Sequence, residues 1–338
     1  MNRSELEANA RAMVAPGRGI LAADETTGTI KKRFDVIKAE NTEENRRAYR
    51  EMLFTAPGIA EHISGVIMYD ETLRQKTRAG VPFAELLAKQ GIVPGIKVDA
   101  GAKPLAGFPG ETITEGLDGL RERLAEYYKL GARFAKWRAV IDIGAGVPTR
   151  FAIDANAHAL ARYAALCQEA NIAPIVEPEV LMDGDHTLAR CEEVTDAVLD
   201  SVFGQLFEHR ILLEGMVLKP NMVIDGKAAR KASREEVAEK TLRVLKPCVP
   251  AAVPGIAFLS GGQSDEEATA HLSLMNAAGR LPWKLTFSYG RALQAAALKA
   301  WDGQPQNVAA GQRAFAHRAK MNSLAATGAW KPEFEKAA

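Results

Sequence analysis

Cysteine is scarce in this chain of 338 residues: Cys167, Cys191 and Cys248 stand far apart and form no CxxC pair. That excludes a disulfide framework or a thiolate metal cluster and fits the reducing cytoplasm, with free structural thiols. Net charge is scarce too, with 43 basic against 42 acidic side chains. Without a field of one sign, the chain is not expected to bind nucleic acid or an anionic membrane over a broad surface, although a local phosphate site is compatible with this balance. No run approaches the ~18 consecutive apolar residues of a membrane span. The opening "MNRSELEANARAMVAPGRG" lacks an apolar signal core and reads as an amphipathic helix. Several motifs are missing as well. The six histidines show no HxH or HExxH pattern, and there is no P-loop, no GxSxG elbow and no complete GxGxxG. Metal and cofactor chemistry are therefore not expected. "DGDH" at 183–186 reads as a polar turn.

What is present is a series of short apolar runs, each ending in polar residues. They are "GILAADE" (19–25), "GVIMYDE" (65–71), "VPGIKVD" (93–99), "FAKWRAVI" (134–141), "APIVEPEV" (173–180), "MVLKPNMV" (216–223), "GIAFLSGG" (255–262) and "KLTFSYG" (284–290). Runs without strict alternation are what strands buried on both faces look like. Between them lie helical segments. "TITE" (112–115), "SREE" (233–236) and "SDEE" (264–267) have the capping-box form, Asn41 with Glu44 offers another start, and "ANAHALARYAALCQEAN" (155–171) favours helix. From Lys97 to Lys136, Glu177, Lys219 and Ser260 the steps are 39, 41, 42 and 41 residues, room each time for a strand, a helix and two loops. Eight such units predict an α/β fold, a single (β/α)8 TIM barrel over 1–338, with an extra N-terminal helix and with a C-terminal helix and flexible tail at 303–338. An open doubly wound sheet is the alternative, disfavoured by the incomplete glycine motifs "GRG" and "GAG".

Chemistry in such a barrel belongs at the C-terminal ends of the strands. Those ends carry Asp24, Lys97, Asp99, Lys136, Arg138, Glu177, Glu179, Lys219 and Ser260. Residues two apart share a face, so Lys97 with Asp99, Lys136 with Arg138, Glu177 with Glu179, and Val217 with Lys219 and Asn221 point together. Any one of these is ordinarily a salt-bridge partner. Charge at the ends of so many strands is poor core design unless it is a site. After the last two strands, Ser260, Gly261 and Gly262 precede one helix start, and Ser288, Gly290 and Arg291 another. That is the usual phosphate position of this architecture.

With metal and serine motifs missing, the candidate nucleophile is a lysine, and "GMVLKPNMV" buries one in an apolar strand. A free lysine with pKa ~10.4 is almost wholly protonated at neutral pH. Bringing it to roughly 7 to 8 takes about 3 to 5 kcal/mol. A cation ~4 Å away at an effective dielectric of ~20 supplies ~4 kcal/mol. Lys136 or Arg138 is expected to be that cation, with Glu177 or Glu179 moving protons.

"ILLEGMVLKPN" (211–221) resembles the active-site signature of the class I, Schiff-base fructose-bisphosphate aldolases. "VAPGRGILAADETTGTIKKR", "ENTEENRRAYRE", "GIKVD", "LAGFPGETITEGLDGL", "FAKWR", "PIVEPE", "FLSGGQS" and "LTFSYGRALQAAALKAW" resemble the same family in the same order, over about 14 to 325. The resemblance implies that Lys219 is the Schiff-base lysine and Glu177 the main acid/base. It implies that Asp24 assists C–C cleavage, Lys136 carbinolamine chemistry, and Glu179 in support. Ser260, Gly261, Gly262, Ser288, Gly290 and Arg291 match the site of the ketose 1-phosphate. Thr26, Thr29, Arg33 and Lys97 match the region of the far phosphate, and Arg138 a residue lining the cleft. It further implies a sugar-phosphate substrate, no metal or cofactor, and a homo-oligomer, a tetramer by resemblance only. Two departures stand out. The family's "DESTGS" is "DETTGT" here, and where vertebrate members end in a tyrosine this chain ends "WKPEFEKAA", its last tyrosine being Tyr289. Proton exchange on the enamine then falls to another group or to water, or is slower. A transaldolase-like or deoxyribose-phosphate aldolase-like barrel and a non-catalytic sugar-phosphate-binding barrel remain as alternatives.

Overall fold

In the computed structural model, which describes residues 1–336, the eight apolar runs form one closed barrel of parallel strands. They are β1 (Gly19–Ala23), β2 (Ile63–Met68), β3 (Val93–Lys97), β4 (Phe134–Ile141), β5 (Ala173–Val180), β6 (Val217–Leu218), β7 (Gly255–Phe258) and β8 (Lys284–Tyr289). Neighbours in the barrel follow chain order, and β8 closes onto β1 with Ile20 opposite Ser288 and Leu21 opposite Tyr289. Strands β1 and β5 are buried along their whole length, which is why their sequences do not alternate. Helices between the strands, such as Arg150–Glu169 and Leu188–Glu208, cover the outside and complete the (β/α)8 arrangement. The predicted C-terminal helix is Val308–Ala325, followed by a 3-10 turn at Pro332–Lys336. Of the tail read as 303–338, positions 337 and 338 lie outside the described residues. Among the described residues no helix is long and apolar enough to cross a membrane.

The N-terminal helix Arg3–Met13 determines which end of the barrel is open. Asn2 caps it by accepting from the Glu5 amide at 3.3 Å. Leu6, Ala10 and Met13, spaced to share a helix face, pack against Ile67, Phe134, Ile175 and Val217 inside the barrel. They close its N-terminal end with an apolar plug. The polar strand ends are left to form the opposite mouth.

Three local expectations need correction. "TITE" is not a helix start: Thr112–Glu115 pairs with Gly101–Pro104 in an antiparallel hairpin. Its hydroxyls donate to strand carbonyls instead of capping, Thr112 to Val140 at 3.1 Å and Thr114 to Arg138 at 2.8 Å. At "ENTEEN" the cap is Thr42, which accepts from Asn45, while Asn41 takes a bond from Arg46. The run at 216–223 is a strand only at Val217–Leu218, because Pro220 has no N–H to continue the ladder. Ser233 does form the reciprocal capping box, and Ser264 caps its helix.

Truncating a plug residue tests this arrangement. Leu6 is fully buried, so Leu6→Ala is expected to lower stability by ~2–5 kcal/mol in a denaturant titration. A loss under about 1 kcal/mol would mean the helix is not part of the core.

Candidate active site

Register brings the charged strand ends together. Lys97 lies opposite Lys136 across β3 and β4, and Arg138 lies opposite Glu177 across β4 and β5. Every position assigned from the sequence to catalysis or substrate binding lines a single cavity of about 530 Å3 at the C-terminal mouth. Asn221, expected to point with Lys219, does not join them. Its carbonyl accepts from Val180 at 3.0 Å and its amide donates to Thr195 at 3.2 Å. The chain leaves strand geometry at Pro220, so the two-residue period ends there.

At the floor of the cavity, Lys219 Nζ sits 3.1 Å from Glu177 Oε1. Lys136 Nζ lies 3.6 Å from Glu177 Oε2 and 2.7 Å from Asp24 Oδ2. Lys219, Lys136 and Glu177 are all buried, and their mutual pairing is what makes that tolerable. Burial works to raise the Asp24 carboxyl, but Lys136, then Lys219 and Lys97, outweigh it and hold the group at about 2. Burial likewise works against the Lys136 ammonium, and Asp24 and Glu177 overcome it, pushing the group above the usual lysine range. Of the expected cations and carboxylates, Lys136 and Glu177 are those grouped with Lys219. Arg138 pairs with Glu179, two residues further along the strands. The backbone fixes Lys219 by donating from its amide to Val176 at 2.8 Å, and Pro220 accepts from Leu259 at 3.1 Å.

Two sets of anion-suited groups flank this floor. In the first, Gly261 and Gly262 have φ of +56° and +94°, a region costly for any residue with a Cβ. They lie between Ser260 and the capped helix Asp265–Ala277. Ser288 is buried on β8, its Oγ without a protein partner among the described residues, and Gly290 precedes the helix Arg291–Trp301. In the second, Thr26 caps the helix Thr27–Val36 by accepting from Thr29 at 3.2 Å. Arg33 on that helix pairs with Glu25, and Lys97 pairs with Asp99 at 2.7 Å.

Sequence reasoning missed Glu25, a buried carboxylate that takes Arg33, Arg50 at 3.3 Å and the Gln294 amide at 2.9 Å. The strand period places it on the other face from Asp24, and no spacing connects it to arginines on two different helices. It also missed Lys227, which pairs with Asp183 of the "DGDH" turn at 2.6 Å on the cavity rim. Tyr289 is fully buried and donates its hydroxyl to Ala268 at 3.0 Å, away from the cavity.

A buried amine against a carboxylate, in a cup flanked by two anion-suited sets, can attack the carbonyl of a phosphorylated sugar and move the protons that follow. Comparison with known proteins agrees. The family profile of class-I fructose-bisphosphate aldolase matches residues 5–338. The chain is 61% identical over 333 residues to a probable fructose-bisphosphate aldolase class 1 of Xanthomonas campestris pv. campestris, covering 98% of this chain and 100% of that protein. It is 55% identical to the cytosolic fructose-bisphosphate aldolase 6 of Arabidopsis thaliana, covering 97% and 92%. Its backbone matches the Plasmodium falciparum aldolase, solved with TRAP and a small-molecule inhibitor, with a TM-score of 0.96 at 52% identity, over 97% and 96% of the two chains. The chain belongs to the class I fructose-bisphosphate aldolase family: it is a glycolytic, metal-independent carbon–carbon lyase that reversibly cleaves fructose 1,6-bisphosphate to dihydroxyacetone phosphate and glyceraldehyde 3-phosphate through a lysine imine.

Proposed function

We propose that Lys219 is the imine-forming lysine, that Glu177, Asp24 and Lys136 share the proton transfers around it, and that Glu179 is a supporting carboxylate. The carrying observation is the 3.1 Å contact between Lys219 Nζ and Glu177, with Lys136 on the other carboxylate oxygen. The Lys219 ammonium gives a proton to Glu177, and the free amine attacks the ketose carbonyl carbon. Glu177 returns that proton to the carbinolamine oxygen and then relays a second one to it from the carbinolamine nitrogen, water leaves, and a protonated imine remains. Asp24, kept charged by Lys136, accepts the proton of the substrate hydroxyl. The C–C bond beside it then breaks, and its electron pair passes into the imine to give an enamine. The aldehyde leaves first. Protonation of the enamine carbon and hydrolysis of the imine release the second product. Glu179 steers Arg138 along the cleft wall.

The ketose 1-phosphate is assigned to Ser260, Gly261, Gly262, Ser288, Gly290 and Arg291, supported by the unpartnered Ser288 hydroxyl. The far phosphate is assigned to Thr26, Thr29, Arg33 and Lys97. Two phosphate sets favour the bisphosphate over substrates with one phosphate. The whole chain acts as one barrel domain. A homotetramer, from family resemblance, and a cytoplasmic location, from the Arabidopsis relative's cytosolic description, complete the reading. Light scattering checks the tetramer.

Borohydride reduction with dihydroxyacetone phosphate in the presence of EDTA is expected to leave a ketose-phosphate adduct on the peptide carrying Lys219, and none in Lys219→Met. An adduct on a different lysine would overturn the assignment. Glu177→Gln is expected to lower kcat by ~10²–10⁴-fold in a coupled assay while KM changes far less. Asp24→Asn leaves the buried Lys136 with Glu177 as its remaining carboxylate and is expected to cost about 2–3 kcal/mol near neutral pH. A carboxyl held below its unfolded value stabilises above that value and ceases to as pH falls through the folded one. The stability gap between wild type and Asp24→Asn should therefore be full above the ordinary carboxylate value and close as pH falls to about 2. A gap independent of pH would mean the ion pair contributes nothing.

A further inference from the structure

Gln263 follows the glycine turn of the 1-phosphate set and is buried, as is His271 one helix face away. Its backbone amide donates to the Ser260 carbonyl at 3.0 Å, closing a four-residue turn whose two central glycines both have positive φ. Its side-chain Nε2 donates to the same carbonyl, also at 3.0 Å, and faces Met222 Sδ at 3.7 Å. Its main-chain carbonyl accepts from Arg291 Nη2 at 3.2 Å. One residue therefore touches the Ser260–Gly262 turn, the arginine of the next helix start and the segment that follows Lys219.

The orientation of this amide is determined by its neighbours. The Ser260 carbonyl can only accept, so the Gln263 NH2 faces it and the amide oxygen faces His271, 2.6 Å from Nδ1. The imidazole must then carry its proton on Nδ1. Burial lowers the His271 pKa to about 4, so the ring stays neutral at working pH. Its Nε2 lies 3.7 Å from Glu267, which is paired with Arg234. A turn of two glycines has little intrinsic preference for one shape, and an arginine on an exposed stem has less. Something must hold both ready for an anion.

We propose that Gln263, oriented by His271, is a positioning residue that presets the 1-phosphate pocket: its side-chain amide holds the Ser260–Gly262 turn in the shape that presents the Gln263 main-chain carbonyl to Arg291. The inference rests on the assignment of that turn and Arg291 to the 1-phosphate. Neither Gln263 nor His271 lines the cavity, so both act through the groups that do.

The test compares imine trapping by borohydride with dihydroxyacetone phosphate and with dihydroxyacetone, which lacks the phosphate. The ratio of the two half-saturating concentrations isolates the phosphate contribution. A general loss of structure impairs both ligands and leaves the ratio alone. In Gln263→Met, which keeps the length and the main-chain bonds but loses the side-chain bonds to the Ser260 carbonyl and to His271, the preference for the phosphorylated ligand is expected to fall about tenfold, ~1.4 kcal/mol. His271→Leu should lower it similarly, and His271→Asn, which retains an N–H donor near Nδ1, should recover most of the loss. If Arg291→Ala lowers the preference while Gln263→Met and His271→Leu stay within about twofold of wild type, the positioning role is wrong. If Arg291→Ala also leaves the preference unchanged, the phosphate assignment falls first, and the inference with it. Equal behaviour of His271→Asn and His271→Leu would remove His271 from the proposal. Should Gln263→Met fail to fold, the two His271 variants decide the matter.

Discussion

The structure turns on one carboxylate shared by two amines. Glu177 lies between Lys219 and Lys136 at the floor of a barrel whose other end is closed by apolar side chains. Two ammonium groups a few ångströms apart repel by several kcal/mol at a protein-like dielectric. A buried ammonium without a partner is costlier still. The carboxylate offsets both and supplies the acceptor that an attacking amine needs. Asp24 extends the arrangement by holding Lys136 from its other side. The order Asp24, Lys136, Glu177, Lys219 alternates in sign, and each member stabilises the charge of the next.

The same economy runs around the mouth. Arg138 is held by Glu179, Lys97 by Asp99 and Arg33 by Glu25. The cations of the far-phosphate set, Arg33 and Lys97, are thus prepaired with carboxylates, whereas Arg291 of the 1-phosphate set donates to the Gln263 main-chain carbonyl. On the proposed assignment, a phosphate binding there would exchange one anionic partner of Arg33 or Lys97 for another, with less desolvation than a bare cation would require. Uncharged donors serve differently. Ser288, the two glycines of the 260–263 turn and the helix starts behind them are set by backbone geometry and buried amide bonds.

Much of this was legible in the sequence because barrel strands carry a strong signal. Apolar runs ending in polar residues, each followed by room for a helix, identify both the strands and the end at which the charged cavity opens. The period of two correctly grouped Lys136 with Arg138 and Glu177 with Glu179. It failed for Asn221, because Pro220 ends the strand before the pattern does. The capping-box reading failed at "TITE" because that pattern is only a local preference. Carbonyls at Arg138 and Val140 on β4 offered the threonine hydroxyls other partners. Glu25 and Gln263 left no trace in periodicity. Their partners lie on other elements, and hydrogen-bond complementarity across the fold has no spacing along the chain.

By itself the sequence determined the barrel, the end at which the candidate site lies and, with the family resemblance, the residue types of a lysine-imine lyase. Those features follow from burial and strand periodicity, which act over a few residues. Only the tertiary structure decided which charges pair: Lys219 with Glu177 but not Glu179, Arg138 with Glu179, Arg33 with Glu25. Pairing depends on the stagger of neighbouring strands and on helices that return from distant parts of the chain, and electrostatic energy depends on distance in space rather than in sequence.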